Sequence, residues 1–159
     1  MTSIRAAVVT VSDTRSVEND ISGNELVKLL TAAGIEISVR RSTTDDFPAI
    51  RDLLVALSER EDIDLILTTG GTGFAPRDNT PEATRTVIER EAPGLAEAIR
   101  RETAGSTPLA MLSRGVCGIR GSTLIINLPG SPKAVSECFG VVRNVLPHAV
   151  ALIRGDKPH

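Results

Sequence analysis

Ile63-Asp64-Leu65-Ile66-Leu67-Thr68-Thr69-Gly70-Gly71-Thr72-Gly73 is a short apolar run that passes without a break into a glycine-rich loop. Ile63, Leu65, Ile66 and Leu67 have the continuous hydrophobicity of a strand covered on both faces, the pattern of a parallel sheet. The glycines therefore stand at the carboxyl end of a strand, where open α/β sheets bind their ligands. Outward from this stretch, Ile4 to Val11 is another such run, rich in Val, and Ile35 to Val39 alternates as a further strand. Between those two, Leu26, Leu29, Leu30 and Ala33 recur at i, i+3, i+4 and i+7 with Gly34 as a stop, so a helix is expected to return over the sheet. Ile50, Leu53, Leu54 and Leu57 give the next helical stripe.

Strands alternating with amphipathic helices predict right-handed crossovers and an α/β sandwich on a mainly parallel sheet. Val116 to Arg120 and Leu124 to Leu128, joined at Gly121-Ser122, predict an antiparallel addition at the sheet edge. Val135, Cys138, Phe139, Val142, Leu146 and Ala149 mark a last helical segment, which Pro147 is expected to kink or divide. No repeat or low-complexity linker interrupts the chain, and 159 residues suit one compact domain over 1–159.

Composition excludes several function classes. Lys plus Arg number 18 and Asp plus Glu 20, a net charge of −2 that gives no long-range pull toward nucleic acid or anionic lipid. With three Phe and no Trp or Tyr, a single-strand binding surface of stacked aromatics has almost no material. Cys117 and Cys138 are far apart and have no Cys or His at ligand spacing, so both are expected to be core residues. Met1-Thr2-Ser3-Ile4-Arg5 has no charged leader, and no segment reaches the ~20 apolar residues of a membrane span, so a cytoplasmic location is expected.

The chemistry gathers at strand ends. In Thr69-Gly70-Gly71-Thr72-Gly73 the missing Cβ atoms let backbone N–H groups approach an anion closely; the alternative is a merely tight turn. No Gly-Lys-Ser/Thr follows, and Pro76 stands where a dinucleotide fingerprint needs its third glycine. In Arg77-Asp78-Asn79-Thr80-Pro81-Glu82, Thr80 reads as an N-cap with Pro81 at the first helical position. Asp78 is either a Mg²⁺ ligand beside a phosphate or the organiser of an Asx-turn. Asn127-Leu128-Pro129-Gly130-Ser131-Pro132-Lys133 again closes a strand and opens a helix. Its free N–H groups, helix dipole and Lys133 suit a second phosphate, or simply begin a helix.

Ser12, Asp13, Asp20 and Ser22 are candidate contacts from the first loop, although Ser22 and Glu25 also have capping-box spacing. Thr44-Asp45-Asp46 places acids after the second strand, one of which could cap the second helix. Ser113-Arg114 precedes the edge strands and could reach an anion, while His148 and His159 show no catalytic pairing. No Ser-His-Asp or Cys-His set emerges, which points away from hydrolysis through a covalent intermediate and toward phosphate chemistry.

Taken together, Thr69-Gly70-Gly71-Thr72-Gly73, Arg77-Asp78-Asn79-Thr80-Pro81-Glu82-Ala83-Thr84, Ser113-Arg114, Gly118-Ile119-Arg120-Gly121 and Asn127-Leu128-Pro129-Gly130-Ser131-Pro132-Lys133-Ala134 resemble the MogA/MoaB molybdenum-cofactor family, over nearly the whole chain from Ser12-Asp13 onward. The resemblance implies a three-layer α/β/α fold of the molybdopterin-binding type. It implies a homotrimer or hexamer, with molybdopterin as ligand and the molybdate-inserting enzyme of the same pathway as a partner. In the adenylyltransferase branch it implies reaction with ATP and Mg²⁺ to give adenylylated molybdopterin and pyrophosphate, with Asp45, or its neighbour Asp46, and Asp78 as the functional acids and metal ligands. Asp13-Thr14-Arg15 with Asp20-Ile21-Ser22-Gly23 looks more like the MoaB branch, some members of which lack the Arg-Asp-x-Thr-Pro segment and bind without adenylylating. Arg77, Asp78, Thr80 and Pro81 are all present here, which favours the active branch.

Overall fold

A computed structural model describes residues 3–157; Met1, Thr2 and His159, named above, lie outside them. The strands are β1 (Arg5–Val11), β2 (Glu36–Thr43), β3 (Leu65–Thr69), β4 (Arg90–Glu91), β5 (Cys117–Arg120) and β6 (Thr123–Leu128). The helices are α1 (Ile21–Ala32), α2 (Phe47–Ser58), α3 (Thr80–Val87), α4 (Pro93–Thr103), α5 (Pro132–Val142) and α6 (Leu146–Ile153). The sheet order is β2-β1-β3-β6-β5-β4. The first four are parallel, and β5 and β4 form an antiparallel edge. After β1 the chain goes to β2 on one side and then to β3 on the other, so the topological switch point lies between β1 and β3.

The sheet is covered on both faces, which is why β1 and β3 show no polar alternation. Ala6, Val8, Leu65 and Leu67 face a core completed by α1, α4, α5 and α6, through Leu26, Leu30, Ile99, Phe139 and Leu146. Ala7, Val9 and Ile66 face the opposite layer, where α2 and α3 contribute Ile50, Leu54, Ala83 and Val87. This is the expected three-layer α/β/α sandwich. Each fully buried Leu, Ile or Val contributes roughly 1.5–3 kcal/mol relative to an exposed one. No helix of the described residues is long and apolar enough to cross a membrane.

Several local expectations change. The segment Thr123–Leu128 is not an edge addition: β6 pairs in parallel with β3, and only β5 and β4 lie outside it. Asn79, not Thr80, is the N-cap of α3, and the Thr80 hydroxyl is instead spent on the Gly70 carbonyl at 2.9 Å. Asp20, not Ser22, caps α1: its carboxylate accepts the Gly23 N–H at 2.9 Å and the Thr10 hydroxyl, and pairs with Arg40 at 3.3 Å. Wholly buried, this acid is tolerable only because it is so partnered. Near Pro147 the chain does divide, with the 3-10 turn Arg143–Val145 between α5 and α6.

Both cysteines are buried as expected, and burial pushes the Cys117 thiol up to about 12 and that of Cys138 to about 11. The thiolate is the reactive form. In the folded protein at pH 8, neither thiol is therefore expected to react with Ellman's reagent over minutes, and both should react at once in 6 M guanidinium, as absorbance at 412 nm would record; fast labelling of the native protein would contradict this core.

Candidate functional site

The loops after β1, β2, β3 and β6 meet at the carboxyl edge of the sheet, beside the switch point. In the β3 loop Gly70 and Gly71 take φ of 95° and 68°, a region that a side chain disfavours. A Cβ on Gly70 would also run into the Val11 carbonyl oxygen, and one on Gly71 into the Thr80 hydroxyl. The backbone is then pinned: Gly70 N–H donates to the Leu128 carbonyl at 3.1 Å, and the Gly71 carbonyl accepts from Thr80 N–H at 3.1 Å. The Gly70 N–H is thus already engaged, a correction to its expected role toward an anion. Those of Gly71, Thr72 and Gly73 have no acceptor among the described residues.

The β6 loop supplies a matching set. Ser131 caps α5, its hydroxyl accepting Ala134 N–H at 3.2 Å, and Pro132 fixes the first helical position. The N–H groups of Gly130, Ser131 and Lys133 have no acceptor among the described residues, and they stand at the positive end of the helix. The Gly130 carbonyl is held by the Ser22 hydroxyl and by Arg15 at 3.2 Å.

A cavity of about 660 Å³ opens between the two loops and α4, a size suited to a small organic ligand. Of the residues expected to bind phosphate, Gly71, Thr72, Gly73, Ser113, Pro129, Gly130, Ser131 and Lys133 line it, together with Asp78. Lys133 is 83% exposed, with only Glu137 at 3.9 Å, so its ammonium is free to move toward a ligand. Thr69 is buried in the sheet, and neither it, Gly70 nor Pro132 lines the cavity. Arg114 is a brace rather than a lining residue: it donates to the carbonyls of Gly73 and Asp78 at 2.8 Å each and pairs with Glu82 at 2.7 Å.

The first-loop candidates support the site from behind without lining the cavity. Ser12 accepts the N–H groups of Thr14 and Arg15, Asp20 is the buried cap and Ser22 the latch on Gly130. Asp13 receives Arg77 in a two-pronged ion pair at 2.6 and 2.8 Å, which holds its carboxyl down to about 2, and it accepts the Asp45 N–H at 3.0 Å. Arg77 also takes Asp46 at 3.0 Å. Of the two neighbouring acids it is therefore Asp45 that faces the glycine loop, 3.3 Å from where a Gly71 Cβ would lie. Burial, and then the charge of Asp13, push the Asp45 carboxyl above its ordinary value. Asp78 accepts Ala75 N–H at 3.0 Å and flanks the loop at Gly73, 2.9 Å from that glycine's absent Cβ.

The remaining cavity wall was not anticipated. Phe74, Arg100, Thr103, Thr107, Leu109 and Leu112 come from the glycine loop, α4 and the 3-10 turn Pro108–Leu112. Pro93, with Leu95, Ala96 and Ile99 after it, was the available sign of α4.

Residues 7–148 match the family model described as "Probable molybdopterin binding domain". The chain belongs to the molybdopterin-binding domain family. Among its relatives, the molybdenum cofactor synthesis protein cinnamon of Drosophila melanogaster is 49% identical over 98% of this chain, which spans only 26% of that longer protein. The molybdopterin adenylyltransferase of Helicobacter pylori strain J99 is 37% identical over 98% of this chain and 91% of its own length. The molybdopterin biosynthesis enzyme MoaB of Thermus thermophilus superposes with a TM-score of 0.88 at 46% identity, over 96% of this chain and 98% of that one.

In this molybdopterin-binding domain the glycine loop is sterically constrained at Gly70 and Gly71. Gly70→Ala is expected to lower unfolding free energy by ~2–4 kcal/mol in urea titrations. Gly140→Ala, in α5 with open space around it, should raise it by up to ~1 kcal/mol; equal effects would refute the steric constraint. Asp45 gives a second test. Because its folded-state pKa is raised, the native protein gains stability as pH falls through that value, and the ionised carboxylate is a cost at neutral pH. Asp45→Asn should therefore melt higher than wild type at pH 7, and the difference should shrink as pH falls through the raised pKa.

Proposed function

We propose that the protein is a molybdopterin adenylyltransferase, which transfers AMP from ATP to the terminal phosphate of molybdopterin with release of pyrophosphate. The observation that carries this reading is that two separate sets of unengaged N–H groups, those of Gly71, Thr72 and Gly73 and those of Gly130, Ser131 and Lys133, border one cavity beside Asp78. One anion-binding loop would serve a simple phosphate binder; two facing loops suit a reaction that joins two polyanions. The relative named molybdopterin adenylyltransferase, similar over nearly its full length, supports the same reading.

In this reaction a phosphate oxygen of molybdopterin attacks the α-phosphorus of ATP in line; the new O–P bond forms as the bond to the β-phosphate bridging oxygen breaks. A phosphate monoester has its second pKa at ~6, so at neutral pH it is already mostly dianionic and needs no general base. The work left to the protein is alignment and charge neutralisation. Gly71, Thr72 and Gly73 N–H groups receive one phosphate, while Gly130, Ser131 and Lys133 receive the other. Asp45 and Asp78 would hold Mg²⁺, which when bound supplies positive charge to the nucleotide phosphates. The fit is in the donor set. No three His, Cys, Asp or Glu side chains form a closed metal cluster among the described residues. Magnesium at phosphate sites needs only one or two carboxylates, the phosphates and water. Glycine at 71 and 73 keeps clear the space against both acids that a Cβ would fill. The same reading carries assembly as a homotrimer or hexamer, and transfer of product to a molybdate-inserting enzyme.

The alternative is a MoaB-type carrier that binds molybdopterin without using ATP; the 46% identity to the Thermus MoaB favours it. Incubation with molybdopterin, ATP and Mg²⁺, with products resolved by chromatography, separates the two: pyrophosphate with an adenylylated pterin supports the transferase, and bound but unchanged pterin the carrier. Asp78→Ala is expected to keep pterin affinity within a few-fold while turnover falls at least about 100-fold; parallel loss of both would remove Asp78 from the reacting centre.

A further inference from the structure

Phe74 stands apart from the other two phenylalanines. Phe139 is sealed in the core at 1% exposure, and Phe47 lies on α2 beneath the Arg51 guanidinium. Phe74, directly after the glycine loop, lines the cavity and is 68% exposed. Leaving a ring of this size in water forgoes most of the hydrophobic gain of burying it. Its exposure does not come from a slack segment. On one side the Gly73 carbonyl is held by Arg114 at 2.8 Å. On the other, Ala75 N–H donates to the Asp78 carboxylate at 3.0 Å and its carbonyl accepts Asp78 N–H at 2.9 Å. The ring is therefore carried on a backbone fixed at both neighbours.

What lies around it identifies its partner. Leu109 and Leu112, on the 3-10 turn, add apolar wall to the same cavity. The open N–H groups of Gly71 to Gly73 begin one to three residues away, within ~11 Å along the chain. An aromatic face that close to anion donors suits a ligand with a flat ring and a phosphate a short spacer apart, and a purely apolar partner would leave the donors unanswered. We propose that Phe74 is a specificity-determining residue that stacks on the bicyclic nitrogen heterocycle of a phosphorylated ligand, in the manner of base-stacking aromatics. The proposed function supplies two sources of such a ring, adenine and pterin, and the inference rests on that reading for their identity.

The chain has no Trp or Tyr, so Phe74→Trp introduces its only indole. Titration of this variant with ATP·Mg²⁺ and with neopterin monophosphate is expected to quench its emission for the ligand whose ring sits on residue 74, while ribose 5-phosphate, which has no ring to stack, leaves it unchanged. By calorimetry, Phe74→Ala and Phe74→Leu should both weaken that ligand roughly 5- to 150-fold, and Phe74→Trp should bind at least as well as wild type. Quenching by neither ringed ligand, or wild-type affinity in Phe74→Leu, would overturn the stacking role. So would a change in sedimentation-determined assembly of Phe74→Ala with ligand affinity intact, since the ring would then belong to a subunit contact. Stacking without adenylylated product would leave this inference standing and remove the transferase reading instead.

Discussion

The site depends on one close approach of backbone to backbone. At Gly70 the chain leaves β3 so near the Val11 carbonyl that no side chain fits, and a Cβ on Gly130 would in turn lie 3.3 Å from the Gly70 Cα. This contact brings the ends of β1, β3 and β6 together, and the hydrogen bonds of Gly70 and Thr80 then fix the direction in which the next three N–H groups point. Were the loop wider, the donors would still exist but would no longer border the same cavity as those at the start of α5. The glycines are thus needed first for packing, and the geometry of the open N–H groups is a consequence of it.

Around this contact the charged groups are sorted. Four aspartates, Asp13, Asp45, Asp46 and Asp78, approach the glycine loop or its supports, and Arg77 neutralises two of them, Asp13 and Asp46. The two left facing the loop are those whose negative charge a bound cation would relieve. Arg114 does a different job with the same chemistry: its guanidinium is spent on two carbonyls and a glutamate, so it stiffens the loop without adding charge to the cavity. Arg15 and Ser22 brace the β6 loop in the same way through the Gly130 carbonyl. The first loop thus acts on the site through its supports.

Much of this was legible in the sequence, and the failures have physical causes. β1 and β3 were readable because burial on both faces leaves an unbroken apolar run, and α1 and α2 because one buried stripe repeats at helical spacing. β4 is two exposed residues, Arg90 and Glu91, whose strand character comes only from pairing with β5. Hydrophobicity cannot reveal such a strand. Asp20 is recognisable as a buried cap only once the fold brings Thr10 and Arg40 to it. Asp45 and Asp46 differ by one position and by nothing in residue type, so their division of roles required the Arg77 partner to be located. The Phe74 wall escaped because a single aromatic in a turn has no period.

The transfer proposed above would require two anions to be brought together. Two like unit charges 4 Å apart repel by about 4 kcal/mol at an effective dielectric of 20, and each phosphate group carries more than one charge. A flexible lysine would have to be ordered at the moment of contact, whereas backbone N–H groups fixed by Gly70, Thr80 and the α5 cap are already oriented, so no reorganisation is needed. Lys133, the mobile cation, is 83% exposed, while the residues that carry the fixed donors line the cavity with it. In the proposed reaction Lys133 would attract and guide the ligand, and the loops would hold it. On the same reading it matters that Arg77 and Arg114, which flank the glycine loop, are both committed to protein partners. A free guanidinium there would bind either anion tightly in the ground state, and binding of that kind lowers the energy of the separate reactants without lowering the barrier between them.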